Sequence, residues 1–557
     1  MTVPPTIHLV FILVVASSLS VFAKHWVQPD GTPKRPVIFL LWVAAVFTLV
    51  AAVVTTPLND DEVYWLANSW LARHGGPHMQ LPMRELPFHA LLTLNLTPSA
   101  MLSVGRVATA LAALYCALPV SALARKLGCS ASASSAVSAL TVLWLTSEAQ
   151  MFFLRPEYIA CVLVISGIWL LAAPPDCLSS RTAILVSFVL FTLAATTSLR
   201  QPLYLVGAIV SLFIERRQLP RRVTFSWAAI GIVMGVLPSA IYVATTHGCL
   251  TEIWYWNVIF IPKTQLVKPG LFLFFPPLLL LAALVGYIVL WARRAGNPRT
   301  VTILIMWLTG TIALLAMNAG GARYSMGPWL ALSTTLAAGL AVGLTVGPAL
   351  RRRLHWWVFA ACLINLQPLI GPLSLVKRPK MAAQRMHELG SQLELVDWLD
   401  AVNRGGTVLC VVPYHPIRAH NPWGMWDAHA YCYLRDPALN HELATNIKGV
   451  LRSSAATVIQ WDPWPVNSGY SNILQHAVAR GLLSADQLPQ ILSRITATYQ
   501  IVEWARPLPT GPYIYGGGRF LLRRDIPLVD GRVRLLDQTI VRRWDLVLPM
   551  APSSSTP

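Results

Sequence analysis

The sequence predicts a polytopic α-helical membrane protein with about twelve spans, followed by an α/β domain. The first observation is composition: 55% of the 557 residues are apolar, 12% are charged and the mean hydropathy is +0.55, whereas soluble domains carry roughly 25% charged residues. The second is that long apolar runs recur over the first two thirds of the chain. The third is that composition changes near residue 377, where the runs end.

A spanning helix needs about 20 mostly apolar residues. Candidate spans lie at 7–23, 36–56, 99–122, 131–147, 157–174, 182–199, 201–214, 223–245, 270–292, 300–317, 325–348 and 356–376. Because only Arg200 separates 182–199 from 201–214, a re-entrant hairpin is an alternative to two spans there. The first run has no basic residue before it and no small-residue cleavage site after it, so we do not interpret it as a signal peptide.

The charges of the connecting loops predict the orientation. The loops on one side hold sixteen basic and three acidic residues, and the loops on the other side hold seven of each. Because Lys and Arg are retained in cytoplasmic loops, the first side is predicted to be cytoplasmic. The net charge of +19 is then mainly a consequence of topology, and we expect no nucleic-acid partner.

The chain is predicted to form two domains, a multi-span domain over 1–376 with a large extracytoplasmic loop at 57–98, and an extracytoplasmic α/β domain over 377–557. In the second domain, residues 391–403 have the spacing of an amphipathic helix. Four short apolar runs predict strands, at 407–412, 456–462, 520–523 and 533–536. About 180 residues are enough to bury a core.

Acidic residues cluster in the loop 57–98. Asp60, Asp61 and Glu62 directly follow the second span and begin a helix that we expect to lie on the membrane surface, with Asp60 or Asp61 near its N-cap. One acid suffices for capping, and three adjacent acids repel one another, so we interpret the cluster as functional. Arg84 and Glu85 lie later in this loop, between two prolines. Their spacing is equally consistent with a functional role and with a solvated turn.

Three arginines are predicted to lie at the outer membrane boundary, where basic residues are few according to the positive-inside rule. They are Arg155, Arg200 and Arg323. Because guanidinium groups bind phosphate through two hydrogen bonds, these residues indicate an anionic ligand in the outer leaflet, such as a lipid phosphate. Arg106 lies inside a span, where an unpaired charge is costly, and we expect it to pair with an acid of the loop.

Five short motifs occur in a familiar order. They are DDE at 60–62, RELP at 84–87, RPE at 155–157, LRQP at 199–202 and RYSMGPWLAL at 323–332. In these motifs the chain resembles the GT-C glycosyltransferases, especially the bacterial relatives of protein O-mannosyltransferases and of the aminoarabinose transferases that modify lipid A. The resemblance implies a GT-C-like membrane fold, a polyprenyl-phosphate sugar donor and a catalytic acid in the first large outer loop. It also implies a bacterial inner-membrane enzyme.

The resemblance assigns expected roles to individual residues. Asp61 or Glu62 is the expected base, with Asp60 beside them and Glu85 as a further catalytic candidate, although Leu86-Pro87 replaces the Lys-Pro-Pro of the family. The acceptor is expected to be a lipid, a glycan or a protein, and membrane lipids are further partners. A divalent cation, Mg²⁺ or Mn²⁺, is an option at Asp60–Glu62 that nothing in the sequence requires. The residues expected to bind the donor phosphate or the substrate are Arg84, Arg155, Glu157, Arg200, Lys263, Arg323 and Tyr324.

Two other classes of function are alternatives. A transporter or flippase of lipid-linked sugars would have inverted repeats and charges near the bilayer midplane, and the sequence has no such repeat. A membrane-anchored scaffold would carry its activity in the segment 377–557.

Overall fold

The structure is a computed structural model. It describes residues 34–75, 81–198, 201–214, 220–245, 250, 277–292, 298–315, 325–343, 379–403, 405–410, 414–421, 437–462, 473–479, 481, 483–509, 518–528 and 531–537. The predicted spans 7–23 and 356–376 lie outside these residues. So do four of the predicted binding residues, Arg200, Lys263, Arg323 and Tyr324.

The N-terminal part is a bundle of apolar helices. They are α1 (Arg35–Thr55), α2 (Asp60–Arg73), α3 (Pro82–Thr93), α4 (Pro98–Tyr115), α5 (Ala117–Lys126), α6 (Ala131–Ser147), α7 (Glu157–Ala172), α8 (Ser180–Thr197), α9 (Pro202–Ile214), α10 (Arg221–Thr245), α11 (Pro277–Ala292), α12 (Pro298–Leu315) and α13 (Gly327–Gly343). Among the described residues, four helical stretches are long and apolar enough to cross a bilayer, α1, α4 with α5, α8 and α10. The protein is therefore a membrane protein, and the total of twelve spans stays a prediction.

Helices α8 and α10 pack closely because small residues line their contact. A Cβ atom added to Gly231 would lie 2.6 Å from the carbonyl oxygen of Leu185, and one added to Gly235 would lie 2.6 Å from the Cβ atom of Thr192. This spacing of glycines four residues apart lets two helix backbones approach within a membrane.

Of the two helices of the loop 57–98, α2 is enclosed by protein over most of its length, whereas α3 has exposed residues such as Leu86. Every side chain of α2 from Glu62 to Ser69 is buried, so protein covers this helix, and its position on the membrane surface stays a prediction. Leu389 and Val396 of the C-terminal region belong to the apolar cluster that contains Val63 and Leu66 of α2. Helix α3 contains Arg84 and the buried Glu85, so this segment is a packed helix and not a solvated turn.

The C-terminal region is a small α/β structure. Its elements are α14 (Pro379–Asn403), β1 (Thr407–Leu409), α15 (Pro437–Ser453), β2 (Ala456–Gln460), α16 (Ile473–Ala479), a 3₁₀ turn (Ala485–Gln487), α17 (Leu488–Thr498), β3 (Tyr499–Trp504), β4 (Arg519–Arg523) and β5 (Val533–Leu535). The strand order is β1-β2-β4-β3-β5, with β1 parallel to β2 and the other pairs antiparallel. Alternate strand residues pack on α14 on one face and on α15 and α17 on the other.

Helix α14 joins this region to the loop helices. The side chain of Asp397 accepts hydrogen bonds from the Ser99 backbone N–H at 2.8 Å and from the Ser99 hydroxyl at 2.5 Å. Gln392 Oε1 accepts from the Leu58 N–H at 2.9 Å, and Leu389 and Val396 share an apolar cluster with α2 and α4. The C-terminal region thus supports the backbone immediately before the acidic cluster.

Candidate active site

The acidic cluster begins a helix whose first turn is fixed by two reciprocal bonds. The N-cap of α2 is Asn59, whose side chain accepts from the Asp61 N–H at 2.9 Å. Glu62 Oε2 in turn accepts from the Asn59 N–H at 3.0 Å, which completes a capping box. The cap is therefore Asn59, and Asp60 and Asp61 directly follow it, near the N-cap as the sequence predicts. The Asp61 carboxylate is not needed for capping.

Glu62 forms a buried ion pair with Arg106. Arg106 Nε lies 2.8 Å from Glu62 Oε1 and Arg106 Nη2 lies 2.6 Å from Glu62 Oε2, and both side chains are almost fully buried. Glu62 Oε1 also accepts from the Leu154 N–H at 3.0 Å. The sequence-based expectation that Arg106 pairs with an acid of the loop is confirmed.

The other donors of Arg106 bind the end of the preceding helix. Its Nη1 and Nη2 atoms donate to the carbonyl oxygens of Val53, Thr56 and Pro57 at 2.8–3.1 Å. The pair of Glu62 and Arg106 therefore connects three backbone segments, the end of α1, the start of α2 and the segment before α7.

A second, separate series of charges extends from Asp61. Arg155 Nη1 contacts Asp61 Oδ2, and Arg155 Nε lies 3.5 Å from Glu157 Oε2. Glu157 Oε1 lies 3.7 Å from Arg84 Nη2. Acidic and basic side chains thus alternate in the order Asp61, Arg155, Glu157 and Arg84, which we call the charge row. Its members come from α2, the segment before α7, α7 itself and α3.

Arg84, at the far end of the charge row, is held by neighbours of two kinds. Its guanidinium carbon lies 4.8 Å from the centre of the Trp65 ring, within the range of a cation–π contact. Its Nε donates to the Thr197 carbonyl oxygen at 3.2 Å, which is one of the last carbonyls of α8. The sequence placed Arg84 among the binding residues but gave no sign of either neighbour, because both contacts depend on how α2, α3 and α8 pack.

Asp61 is the more exposed of the two acids in the charge row. Its side chain has 27% of its surface accessible, against 6% for Glu157. Burial raises the pKa of the Asp61 carboxyl above its ordinary value, and the adjacent Arg155 opposes that shift. A carboxylate with a raised pKa is a stronger base than an ordinary one. Asp61 therefore combines access with basicity.

Glu85 contacts a different set of side chains. Its Oε2 accepts from the Tyr242 hydroxyl on α10, and His89 Nε2 lies 4.0 Å from the same oxygen. His89 also contacts the Ser69 carbonyl oxygen at 3.0 Å. The contacts of Glu85 thus link α2, α3 and α10 beside the charge row, and its predicted catalytic role stays a prediction.

A metal site at the acidic cluster would need at least three ligands to converge. In the part of the chain that the structure describes, no group of three or more His, Cys, Asp or Glu residues is placed to hold a metal ion. Both carboxylate oxygens of Glu62 are already bonded, to Arg106 and to two backbone N–H groups. The side chain of Asp60 is not among the described parts of the structure.

Comparison with known proteins gives matches among solved structures. ArnT from Cupriavidus metallidurans, bound to undecaprenyl phosphate, matches at 12% identity over 76% of this chain and 93% of its own, with a TM-score of 0.49. Mycobacterial arabinofuranosyltransferase AftD matches at 14% identity over 91% of this chain and 41% of its own, with a TM-score of 0.47. The Archaeoglobus fulgidus oligosaccharyltransferase matches at 12% identity over 90% of this chain and 76% of its own, also with a TM-score of 0.47.

No family model matches this chain, and no curated protein matches it. The resemblance to the GT-C glycosyltransferases therefore rests on the sequence motifs alone. At these identities and TM-scores the matches transfer neither a residue role nor a reaction to this chain.

Proposed function

We propose that the protein is a membrane glycosyltransferase that moves a sugar from a polyprenyl-phosphate donor to an extracytoplasmic lipid, glycan or protein. In this proposal Asp61 is the general base, and Arg155 and Arg84 bind the donor phosphate. The single observation that carries the proposal is the charge row, in which the accessible acid contacts a guanidinium. The predicted residues Arg200, Lys263, Arg323 and Tyr324 remain further candidates for donor binding.

The charge row has the two kinds of group that the reaction requires. The acceptor hydroxyl attacks the anomeric carbon, the bond from that carbon to the phosphate oxygen breaks, and polyprenyl phosphate leaves with the electron pair. Asp61 takes the proton of the hydroxyl, while guanidinium groups stabilise the charge that develops on the phosphate. No metal is needed for this sequence of bond changes.

The contact between Asp61 and Arg155 supplies a way to couple donor binding to activation of the base. A phosphate is a strong bidentate partner for a guanidinium, so a bound donor competes with Asp61 for Arg155. Asp61 then loses the contact that opposes its raised pKa. Donor binding thereby leaves Asp61 available for the acceptor and more basic than in the free protein.

Replacement of Asp61 tests the proposal. Asp61→Asn should lower transfer at least about 100-fold, since general bases contribute roughly that much or more, with insertion in the membrane unchanged. The measurement is the glycolipid and glycan profile of a deletion strain complemented with each variant. Asp60→Asn tests the neighbouring acid, and Asp176→Asn, in a loop predicted to be cytoplasmic, is the matched control.

The alternative of a carrier for lipid-linked sugars predicts another result. A carrier has no need of a base, so Asp61→Asn would restore the wild-type profile completely. That result would contradict the proposal. We also propose, as the loop charges predict, that the protein lies in the bacterial inner membrane, with a multi-span domain over 1–376 and the segment 377–557 outside the cytoplasm.

A further inference from the structure

A cavity of about 690 Å³ lies where the loop 57–98 meets the C-terminal region. Its wall is formed by the end of α2, the segment 95–98 that leads into α4, the C-terminal end of α14 and three residues from the turns of the C-terminal region. Ligand sites typically have volumes of about 300–1,000 Å³ and occur preferentially between domains. The cavity therefore has room for a small ligand.

The cavity is separate from the charge row. Trp70, in its wall, follows Asp61 on α2 by nine residues. Nine residues make about two and a half helical turns, so these two side chains point to opposite faces of α2 and lie roughly 13–14 Å apart along its axis. A ligand in the cavity does not occupy the space between Asp61 and Arg155, so the donor site does not account for the cavity.

Bonds within the protein hold the wall in place. Asp400 accepts from the Arg418 N–H at 2.7 Å and from Arg418 Nη1 at 3.0 Å. Arg418 Nη2 donates to the Leu96 carbonyl oxygen at 2.7 Å, and Asp397 is bonded to Ser99. These bonds join α14 to the segment before α4, so the cavity is formed before any ligand binds.

The wall still offers hydrogen-bond donors and acceptors to a ligand. Arg418 has five N–H groups, of which these bonds use two, and its side chain is 33% exposed. Asn95 is exposed and its amide both donates and accepts. The Trp70 ring adds an aromatic surface, and the lack of a side chain at Gly405 leaves space beside it, since an added Cβ atom would lie 4.0 Å from Trp70 Cζ2.

These properties of the wall match a neutral saccharide. A sugar has C–H faces that pack on an aromatic ring and hydroxyl groups that both donate and accept. Two acids, Asp397 and Asp400, and two arginines, Arg418 and Arg532, line the cavity, so its wall favours neither an anion nor a cation. An extended peptide binds along a strand edge, and among the described residues none in the wall belongs to a strand.

We propose that this cavity is a second binding site, and that its ligand is a neutral saccharide. The proposal goes beyond the charge row, with which the cavity shares no residue. One consequence rests on the proposed function: a site for additional sugars favours a glycan over a lipid or a protein as the acceptor, because only a chain of sugars has units to place there.

Direct binding tests the proposal without an assay of transfer. The full-length protein in lipid nanodiscs is titrated calorimetrically with neutral oligosaccharides of glucose, mannose or galactose of increasing length, and separately with inorganic phosphate and a short Gly-Ser peptide. We expect at least one of the saccharides to bind. Its affinity should be the same in Asp61→Asn, because the cavity lies on the opposite face of α2.

The variant Ala401→Trp fills the cavity. Ala401 is an exposed wall residue of α14, so a larger side chain there does not enter the core. Saccharide affinity should fall at least about tenfold, because the indole occupies the volume that the ligand needs. Ala383→Trp, at another exposed position of α14, is the matched control and should bind the saccharide as the wild type does.

The variant Asn95→Gly removes one hydrogen-bonding side chain without straining the backbone. Asn95 has a φ of +50°, which glycine adopts freely. We expect the saccharide affinity to fall about two- to tenfold, the effect of one net hydrogen bond. Ser454→Gly is the matched control, since Ser454 has a φ of +53° and lies outside the cavity wall. The two variants should unfold at similar temperatures.

The possible results separate this proposal from the proposed function. If no saccharide binds, or if Ala401→Trp keeps full affinity, the saccharide site is wrong. If phosphate or the peptide binds instead, and Ala401→Trp abolishes that binding, the cavity takes another class of ligand and the assignment is wrong. If Asp61→Asn abolishes saccharide binding, the site is not separate from the charge row. The proposed function fails on a different result, a wild-type glycan profile with Asp61→Asn.

Discussion

Asp61 and Glu62 are neighbours in sequence and carry the same functional group, but their surroundings give them different tasks. Both oxygens of Glu62 bind the Arg106 guanidinium and backbone N–H groups. The Asp61 carboxylate is partly accessible and faces Arg155. We therefore assign the proposed proton transfer to Asp61 and the alignment of its surroundings to Glu62.

The raised pKa of Asp61 makes the pH dependence of transfer testable. A base is active when deprotonated, so activity should be lost as the pH falls through the pKa of Asp61. Because burial raises that pKa, the loss should begin at a higher pH than for an ordinary aspartate, whose pKa is about 3.9. The measurement is the rate of transfer against pH. A rate that stays constant down to the ordinary aspartate range would contradict the assignment.

The buried ion pair predicts a strong and non-additive effect on stability. Glu62→Gln leaves the buried charge of Arg106 without its counter-charge, which should cost about 3–5 kcal/mol. The double variant with Arg106→Gln should cost less than the sum of the two single changes. Unfolding of the four proteins measures this coupling. The exposed pair of Arg506 and Glu394 is the control, where Glu394→Gln should change stability by less than about 1 kcal/mol.

At the scale of the elements, the contact of α8 with α10 depends on the absence of side chains. Gly231→Ala would place a Cβ atom 2.6 Å from the Leu185 carbonyl oxygen, and backbone at that point cannot move without separating the helices. We expect a loss of about 1–3 kcal/mol, measured as a lower unfolding temperature. Gly390→Ala on α14 is the control, because nothing lies within 4 Å of its added Cβ atom. An equal effect of both substitutions would contradict this account.

Helix positions were predictable from the sequence because apolar runs of sufficient length have few alternatives. The predicted segment 131–147 coincides with α6, and 201–214 differs from α9 by one residue. Strand β3 was missed, since its sequence mixes Gln500 and Glu503 with apolar residues, and its pairing with β4 decides its conformation. The burial of α2 was not predicted, because local periodicity does not show which distant segments cover a helix.

At the scale of the whole molecule, the C-terminal region stabilises the segments that carry the proposed site. Asp397 caps the first turn of α4 through Ser99, where a negative charge also interacts favourably with the helix dipole. Asp397→Ala should therefore cost about 1–2 kcal/mol and lower transfer less than Asp61→Asn does. Glu388→Ala, at a partly exposed acid on the same helix, is the control for both unfolding and activity.

The site was predictable as a set of residues but not as a set of contacts. The motifs selected Asp61, Glu62, Arg84, Arg155 and Glu157, and the structure brings these residues together. Which acid binds which arginine depends on the packing of segments about 90 residues apart, such as Asp61 with Arg155. The contacts of Arg84 with Trp65 and Thr197 gave no signal in the sequence, because they depend on how α2, α3 and α8 pack.

The bonds of Arg106 have a consequence for the biogenesis of the protein. An arginine at the centre of an isolated spanning helix is inserted at a cost of roughly 2.5–3.5 kcal/mol, and here the guanidinium finds its partners on α1 and α2. Because α1 and α2 precede α4 in the chain, these partners are already synthesised when α4 enters the translocon, and we expect α4 to be inserted efficiently only while they stay within reach. The same carboxylate that organises the finished site would then also serve as an early counter-ion during synthesis.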